Sequence, residues 1–171
     1  MALTPTEQVV ERLAQCWHEI TGVRTRHTAP PQDAFVDEKL PAAVLIVRGL
    51  TGTSFTDPSL TQQTRAYVCR LFVSVVDEGT EVPGLGAEKY QEAVAYLDRA
   101  HVYFINHRDL STTGGIVSDV DTQAGLGVVV PPLHTLTDTG IVPRTGPGGA
   151  QYWTIEFNHQ ITVRLSYCFE E

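Results

Sequence analysis

Four small groups of residues in this chain have types that could do chemistry, and spacing argues against three of them at once. His107, Arg108, Asp109 and Leu110 spell the opening of a kinase-type catalytic loop, in which the aspartate would accept the proton of a substrate hydroxyl. The asparagine that such a loop needs for its second magnesium is Gly114 here, and no D-F-G follows. Gly84, Leu85 and Gly86 precede a helical pattern and could open a dinucleotide fingerprint, with a pyrophosphate at the helix N-terminus. Lys89 stands where the third small residue belongs. About eight residues also separate Val76, at the end of the preceding strand pattern, from Gly84. Asp119 and Asp121 could begin a calcium loop, but Ala124 replaces its glycine and Val130 its bidentate glutamate.

The fourth group is His134, Asp138 and His159. His134 and Asp138 have the types of a base and its orienter. Four residues of extended chain would hold them about 13 Å apart, so they meet only across a tight turn. His159 interrupts an otherwise apolar strand face, and no second His or Cys stands at metal-ligand spacing from it, which favours a hydrogen-bonded sheet histidine. Glu156 falls on the opposite face of that strand. Ser54 and Ser74 lack the G-x-S-x-G elbow, and no S-x-x-K is present. The residues therefore nominate no catalytic, metal-binding or cofactor-binding position, and the expectation is a protein that is not an enzyme and carries no cofactor.

The bulk numbers suit one domain. A chain of 171 residues, 42% hydrophobic, can bury one proper core. Its 12 Lys and Arg against 20 Asp and Glu give a formal charge of -8, which disfavours tight binding to a phosphate backbone. Such a surface would let DNA slide past without sticking, and it is also ordinary solubility charge. Cys16, Cys69 and Cys168 have no C-x-x-C spacing and read as reduced, packed thiols. Neither a signal peptide nor an apolar run long enough for a membrane span is expected.

The elements follow from periodicity. Thr4, Pro5 and Glu7 form a capping-box pattern, and Val10, Leu13, Ala14, Trp17 and Ile20 recur at helical spacing up to Gly22, predicting a helix over 5–21. Residues 23–39 read as an irregular connector. Ala43 to Val47 is a short apolar run, predicting a central strand that ends at Arg48 and Gly49. Residues 50–64 are mostly Thr, Gly, Ser, Asp and Pro around Phe55 and read as a long loop. Period two returns over 65–76 through Tyr67, Cys69, Leu71, Val73 and Val75. A second helix is predicted over 87–105, with Tyr90, Ala93, Val94, Leu97, His101 and Phe104 on one side. A second excursion covers 111–127, and Val128–Val130 with Leu133–Leu136 read as one strand interrupted by Pro131 and Pro132.

The closing segment alternates from Trp153 through Ile155, Phe157, Ile161, Val163, Leu165 and Tyr167 to Phe169. Fully extended, that run would reach about 55 Å, longer than a solitary domain of this size covers. Copies joining edge to edge would solve the difficulty. The fold expected is α+β: a mainly antiparallel sheet of about four strands, two helices packed on one face, order α-β-β-α-β-β, with long loops.

This layout resembles the tail-terminator and tail-completion (neck) proteins of long-tailed bacteriophages. The likeness rests on Thr21, Gly22 and Val23 closing the first helix and on Leu40, Pro41 and Ala42 leading into a strand. It continues with Tyr67, Leu71 and Val73 in the next strand and Glu92, Ala93 and Leu97 in the second helix. Asp138, Thr139 and Gly140 and the closing Tyr152 to Phe157 complete it, so it covers nearly the whole of residues 1–171 as a single domain. The resemblance implies a structural virion subunit that forms a hexameric ring, caps the tail tube and meets the head connector or stopper protein. Genome DNA would pass through the lumen without specific binding, no membrane is involved, and the protein would reside in the virion after assembly in the host cytoplasm. Candidate interface residues are Phe55, Arg48, Arg65 and Arg164. The alternatives are a tail-tube or head-side stopper subunit, an adaptor that binds by strand addition, and a small non-phage ligand-binding or enzyme domain using His134, Asp138 and His159.

Overall fold

The computed structural model describes residues 5–57, 60–76, 85–107, 110, 126–129 and 134–166. Two helices, α1 (Pro5–Glu19) and α2 (Leu85–Asn106), accompany six strands: β1 (Thr25–His27), β2 (Ala42–Asp57), β3 (Leu60–Val75), β4 (Leu126–Val129), β5 (Thr135–Thr145) and β6 (Gln151–Ser166). The strands form one sheet ordered β1-β2-β3-β6-β4, with β5 also paired to β6. Every pairing is antiparallel except that of β1 with β2. The fold is thus α+β, as expected, but the strands exceed four and the order is α-β-β-β-α-β-β-β.

Both helices lie on one face. Val10, Leu13, Ala14, Trp17 and Ile20 of α1 are all buried and meet Ala43, Leu45, Tyr67, Cys69, Leu71, Ile155 and Phe157 of the sheet. The odd positions of β6 therefore face the helices, as alternation requires. The buried stripe of α2 is Ala93, Tyr96, Ala100 and Phe104, while Tyr90 and Val94 of the expected stripe are 45% and 41% exposed. Gly22 closes α1 at φ 97, and a Cβ there would collide with the Tyr96 hydroxyl. On the opposite face Phe35, Leu40, Ala42, Val44, Phe72 and Tyr152 form a smaller core under the connector.

Three expectations need correction. Residues 50–64 are not a loop, because β2 runs to Asp57, β3 starts at Leu60, and Asp57 pairs with Leu60. Arg48 and Gly49 mark a register shift between Val47 and Leu50 and do not end the strand. Thr25 to His27, inside the supposed connector, forms β1. The strand expected on either side of Pro131 and Pro132 is present as two segments, β4 and β5, that follow one another along the same edge of β6.

The largest correction concerns β6. It pairs with β3 from Tyr152 to Ser166, and its other edge pairs with β5 from Gln151 to Gln160 and with β4 near Val163 and Leu165. Both edges are satisfied within one chain, so its length gives no reason to join a neighbour. Thr4, Pro58, Gly84, Arg108, Asp109, Asp119, Asp121, Ala124, Pro131, Pro132, Tyr167, Cys168 and Phe169, and most of the 111–127 excursion, lie outside the described residues.

Candidate functional site

The strand β6 carries chemistry on both faces. On the helix side, fully buried His159 follows Ile155 and Phe157 in the alternation. Trp17 of α1 donates its indole N–H to His159 Nε2 at 3.0 Å. His159 Nδ1 lies 2.9 Å from Nε2 of His134, the residue just before β5. Phe104 of α2 stands edge-on to both imidazoles, at centroid distances of 4.7 Å to His159 and 5.6 Å to His134. Burial holds the His159 pKa well below the ordinary histidine value, and positive charge on His134 and His101 would push it the same way.

Asp138 does not join this pair. Its Oδ2 is 2.9 Å from His101 Nε2 on α2, and its Oδ1 accepts the Gly140 N–H at 2.9 Å. The reason is local: β5 shifts register against β6 between Asp138 and Ile141, and Gly140 takes φ 72. Thr139 Oγ1, in the same bulge, accepts the Glu156 N–H at 3.3 Å. The bond from His101 holds the Asp138 pKa below the ordinary carboxylate value, partly opposed by burial and aided by the Gly140 N–H. The three residues suggested by the sequence thus split into two separate contacts. Both ring nitrogens of His159 are engaged by protein groups, leaving neither for a substrate.

On the other face Glu156 Oε1 accepts two hydrogen bonds from Arg70, at 2.6 and 2.9 Å, and its Oε2 lies 3.8 Å from Arg144. Sequence reasoning missed this cluster. The signal was available in the β3–β6 register, which places Arg70 directly opposite Glu156.

The four interface candidates all fall on the long strands. Arg48 is exposed, and its carbonyl accepts a bond from Arg65 Nη1 at 3.1 Å. Arg65 pairs with Leu50 on one side and Ile161 on the other. Phe55 pairs with Thr61, and Arg164 with Gln62, through the backbone ladder. His107, the first residue of the kinase-like tetrapeptide, follows the end of α2, stacks on Tyr103 at 4.0 Å and bonds the Tyr103 carbonyl through Nδ1 at 2.7 Å. That is a helix-end role, and Leu110 is fully buried.

A groove of about 420 Å³ runs between the C-terminal ends of the helices, past Ile20, Val102 and Tyr103. Among the described residues no three His, Cys, Asp or Glu side chains gather to hold a metal ion. No helix among them is long and apolar enough to cross a membrane. No protein-family model matches the chain, and no curated protein matches it either.

Proposed function

We propose that this chain is a structural subunit that assembles with copies of itself, as a tail-terminator or neck ring of a long-tailed phage. It caps the tail tube, joins it to the head connector and performs no catalysis. The observation that supports this reading is the outer edge of β2. Among the described residues β1 pairs with β2 only from Ala42 to Val44, so from Leu45 to Asp57 that edge meets no strand. Val47 and Leu50 on this stretch are 44% and 45% exposed. From Leu50 to Thr56 it has no charge and no proline, the features that usually guard a free edge.

The opposite outer strand is guarded. Pro143 removes a donor from β5 and Arg144 adds charge, whereas β2 between Leu45 and Asp57 carries Arg48 and register shifts but no proline. One open and one guarded edge favour contact between two different surfaces of neighbouring copies, which closes a ring when the rotation allows. Electron microscopy of the purified protein, together with its mass in solution, tests the proposal. Closed rings that bind tail tubes and stop their growth are expected. Open-ended tubes would favour a tube subunit instead, and a monomer at every concentration would overturn self-assembly.

A further inference from the structure

The three rings of Trp17, His159 and His134 can hydrogen-bond in only one direction. An indole N–H donates and never accepts, so His159 Nε2, 3.0 Å from it, must offer a lone pair. The one proton of neutral His159 is then on Nδ1 and is donated to His134 Nε2, 2.9 Å away. His134 Nε2 must in turn be unprotonated, and its own neutral-state proton is on Nδ1. A further proton on either imidazole sets two N–H groups against each other. On His134 it faces the Nδ1–H of His159, and on His159 it faces the indole.

We propose that Trp17, His159 and His134 form a proton-operated latch, closed when both imidazoles are neutral and opened by a single proton, so that α1 and the start of β5 loosen from β6 in mild acid. The position makes the latch consequential. Trp17 is the largest fully buried side chain of α1 and packs on Phe104 and Phe157 at centroid distances of 5.5 and 4.8 Å. Neighbouring charges act in the same sense or are committed elsewhere. His101 of α2 would repel a charged His159 but is paired with Asp138 of β5. Tyr67 of β3 lies across the ladder from His159, and Cys16 of α1 bonds the Leu110 carbonyl. Both ring nitrogens of His159 are committed to Trp17 and His134, and Phe104 packs edge-on against its ring.

The energetic sign follows from linkage. The unfolded chain accepts a proton at His159 near the ordinary value of 6.5, whereas the folded chain resists it. Below that pH the folded-to-unfolded ratio falls by up to tenfold per pH unit, until the folded group itself titrates. His27, also pushed down by burial, contributes in the same direction, so stability alone does not isolate the latch.

The deciding experiment is NMR of the full chain with labelled histidine and tryptophan rings, followed from about pH 7.5 to about pH 5. Expected are an Nδ1-protonated His159 at the upper end, and a Trp17 indole N–H signal that moves with the same midpoint as His134. His134→Gln retains an acceptor for the His159 N–H and cannot take the proton, so its Trp17 signal should stay in place over the same range. An Nε2-protonated His159, or a Trp17 signal indifferent to His134 titration in the parent chain, would overturn the proposal. So would a Trp17 signal that moves equally in folded His134→Gln. If that variant fails to fold, the tautomer and shared midpoint of the parent chain decide alone.

Discussion

Replacing Val47 and Leu50 together by lysine should abolish assembly and leave the fold of the single chain almost untouched. The two side chains are 44% and 45% exposed, so each retains a little under half of its surface for a partner to cover. Full burial of a Val or Leu stabilises by roughly 1.5 to 3 kcal/mol, so the uncovered remainder contributes about 1 kcal/mol each, or about 2 kcal/mol per interface. That corresponds to about a 30-fold weaker contact, repeated at every junction of a ring. Burying the two ammonium groups would add to the loss, and lysine is itself a common guard of free strand edges. The isolated chain should change by about 0.5 kcal/mol or less, because exposed substitutions rarely do more. Sedimentation velocity over a concentration series reads the assembly, and thermal unfolding of the dissociated protein reads the fold. A double variant that assembles like the parent would refute the assignment of this edge. One that unfolds far more readily would show that Val47 and Leu50 belong to the core and not to a contact surface.

Three further outcomes are expected. Phe157→Ala removes a fully buried ring that packs on Trp17 at 4.8 Å, and chemical denaturation should show a loss of about 3 to 5 kcal/mol. Gly22→Ala, at φ 97 and against the Tyr96 hydroxyl, should cost more than about 1 kcal/mol by the same assay, whereas substitution at Gly149, with open space around it, should be governed by its backbone conformation alone. Asp138 has a folded pKa below its ordinary 3.8, so its contribution is present above that value and is lost as pH falls through the folded one. Asp138→Asn should therefore flatten the acid limb of stability and leave the slope near pH 6.5 in place, as denaturation across pH would show.

The parts of the fold legible in the sequence are those whose residues face one wet and one dry side. Val10, Leu13, Ala14, Trp17 and Ile20 give α1 a stripe that no other element type explains, and Ile155, Phe157 and Ile161 do the same for β6. The distal half of the β2–β3 hairpin carries no such contrast. The sheet residues that meet the helices stop at Leu45, Tyr67 and Ile161, so the alternation fades beyond them and Thr51, Thr53 and Ser54 read as loop. β1 was hidden for another reason: its three residues are a strand only because β2 lies parallel beside them. His101 and Asp138 lie 37 positions apart, and their bond depends on how α2 crosses β5, which no local pattern encodes. The His134–His159 contact was closer to reach. Counting back from the turn at Pro147–Gly149 along β5 and β6 brings Thr137 opposite His159, and the one-residue register shift between Asp138 and Ile141 makes it Leu136, with His134 just beyond.

The closing strand was expected to need a neighbouring copy because of its length, and that inference fails on a simple point of topology. An overlong strand calls for a second molecule only if its own sheet offers no equally long partner. Here β2, β3 and β6 each have 16 residues and run alongside one another, while β5 and β4 divide the remaining edge of β6 between them. Length is thereby passed across the sheet until it reaches β2, whose last partner, β1, has three residues. The unmet hydrogen-bonding capacity has moved to a different edge, where it coincides with exposed Val47 and Leu50 and with a stretch that lacks charge and proline. An interface argument built on β6 would direct substitutions to Arg164, which lies on a strand paired on both sides. One built on β2 directs them to residues 47–56, which among the described residues pair with β3 on one side and with no strand on the other.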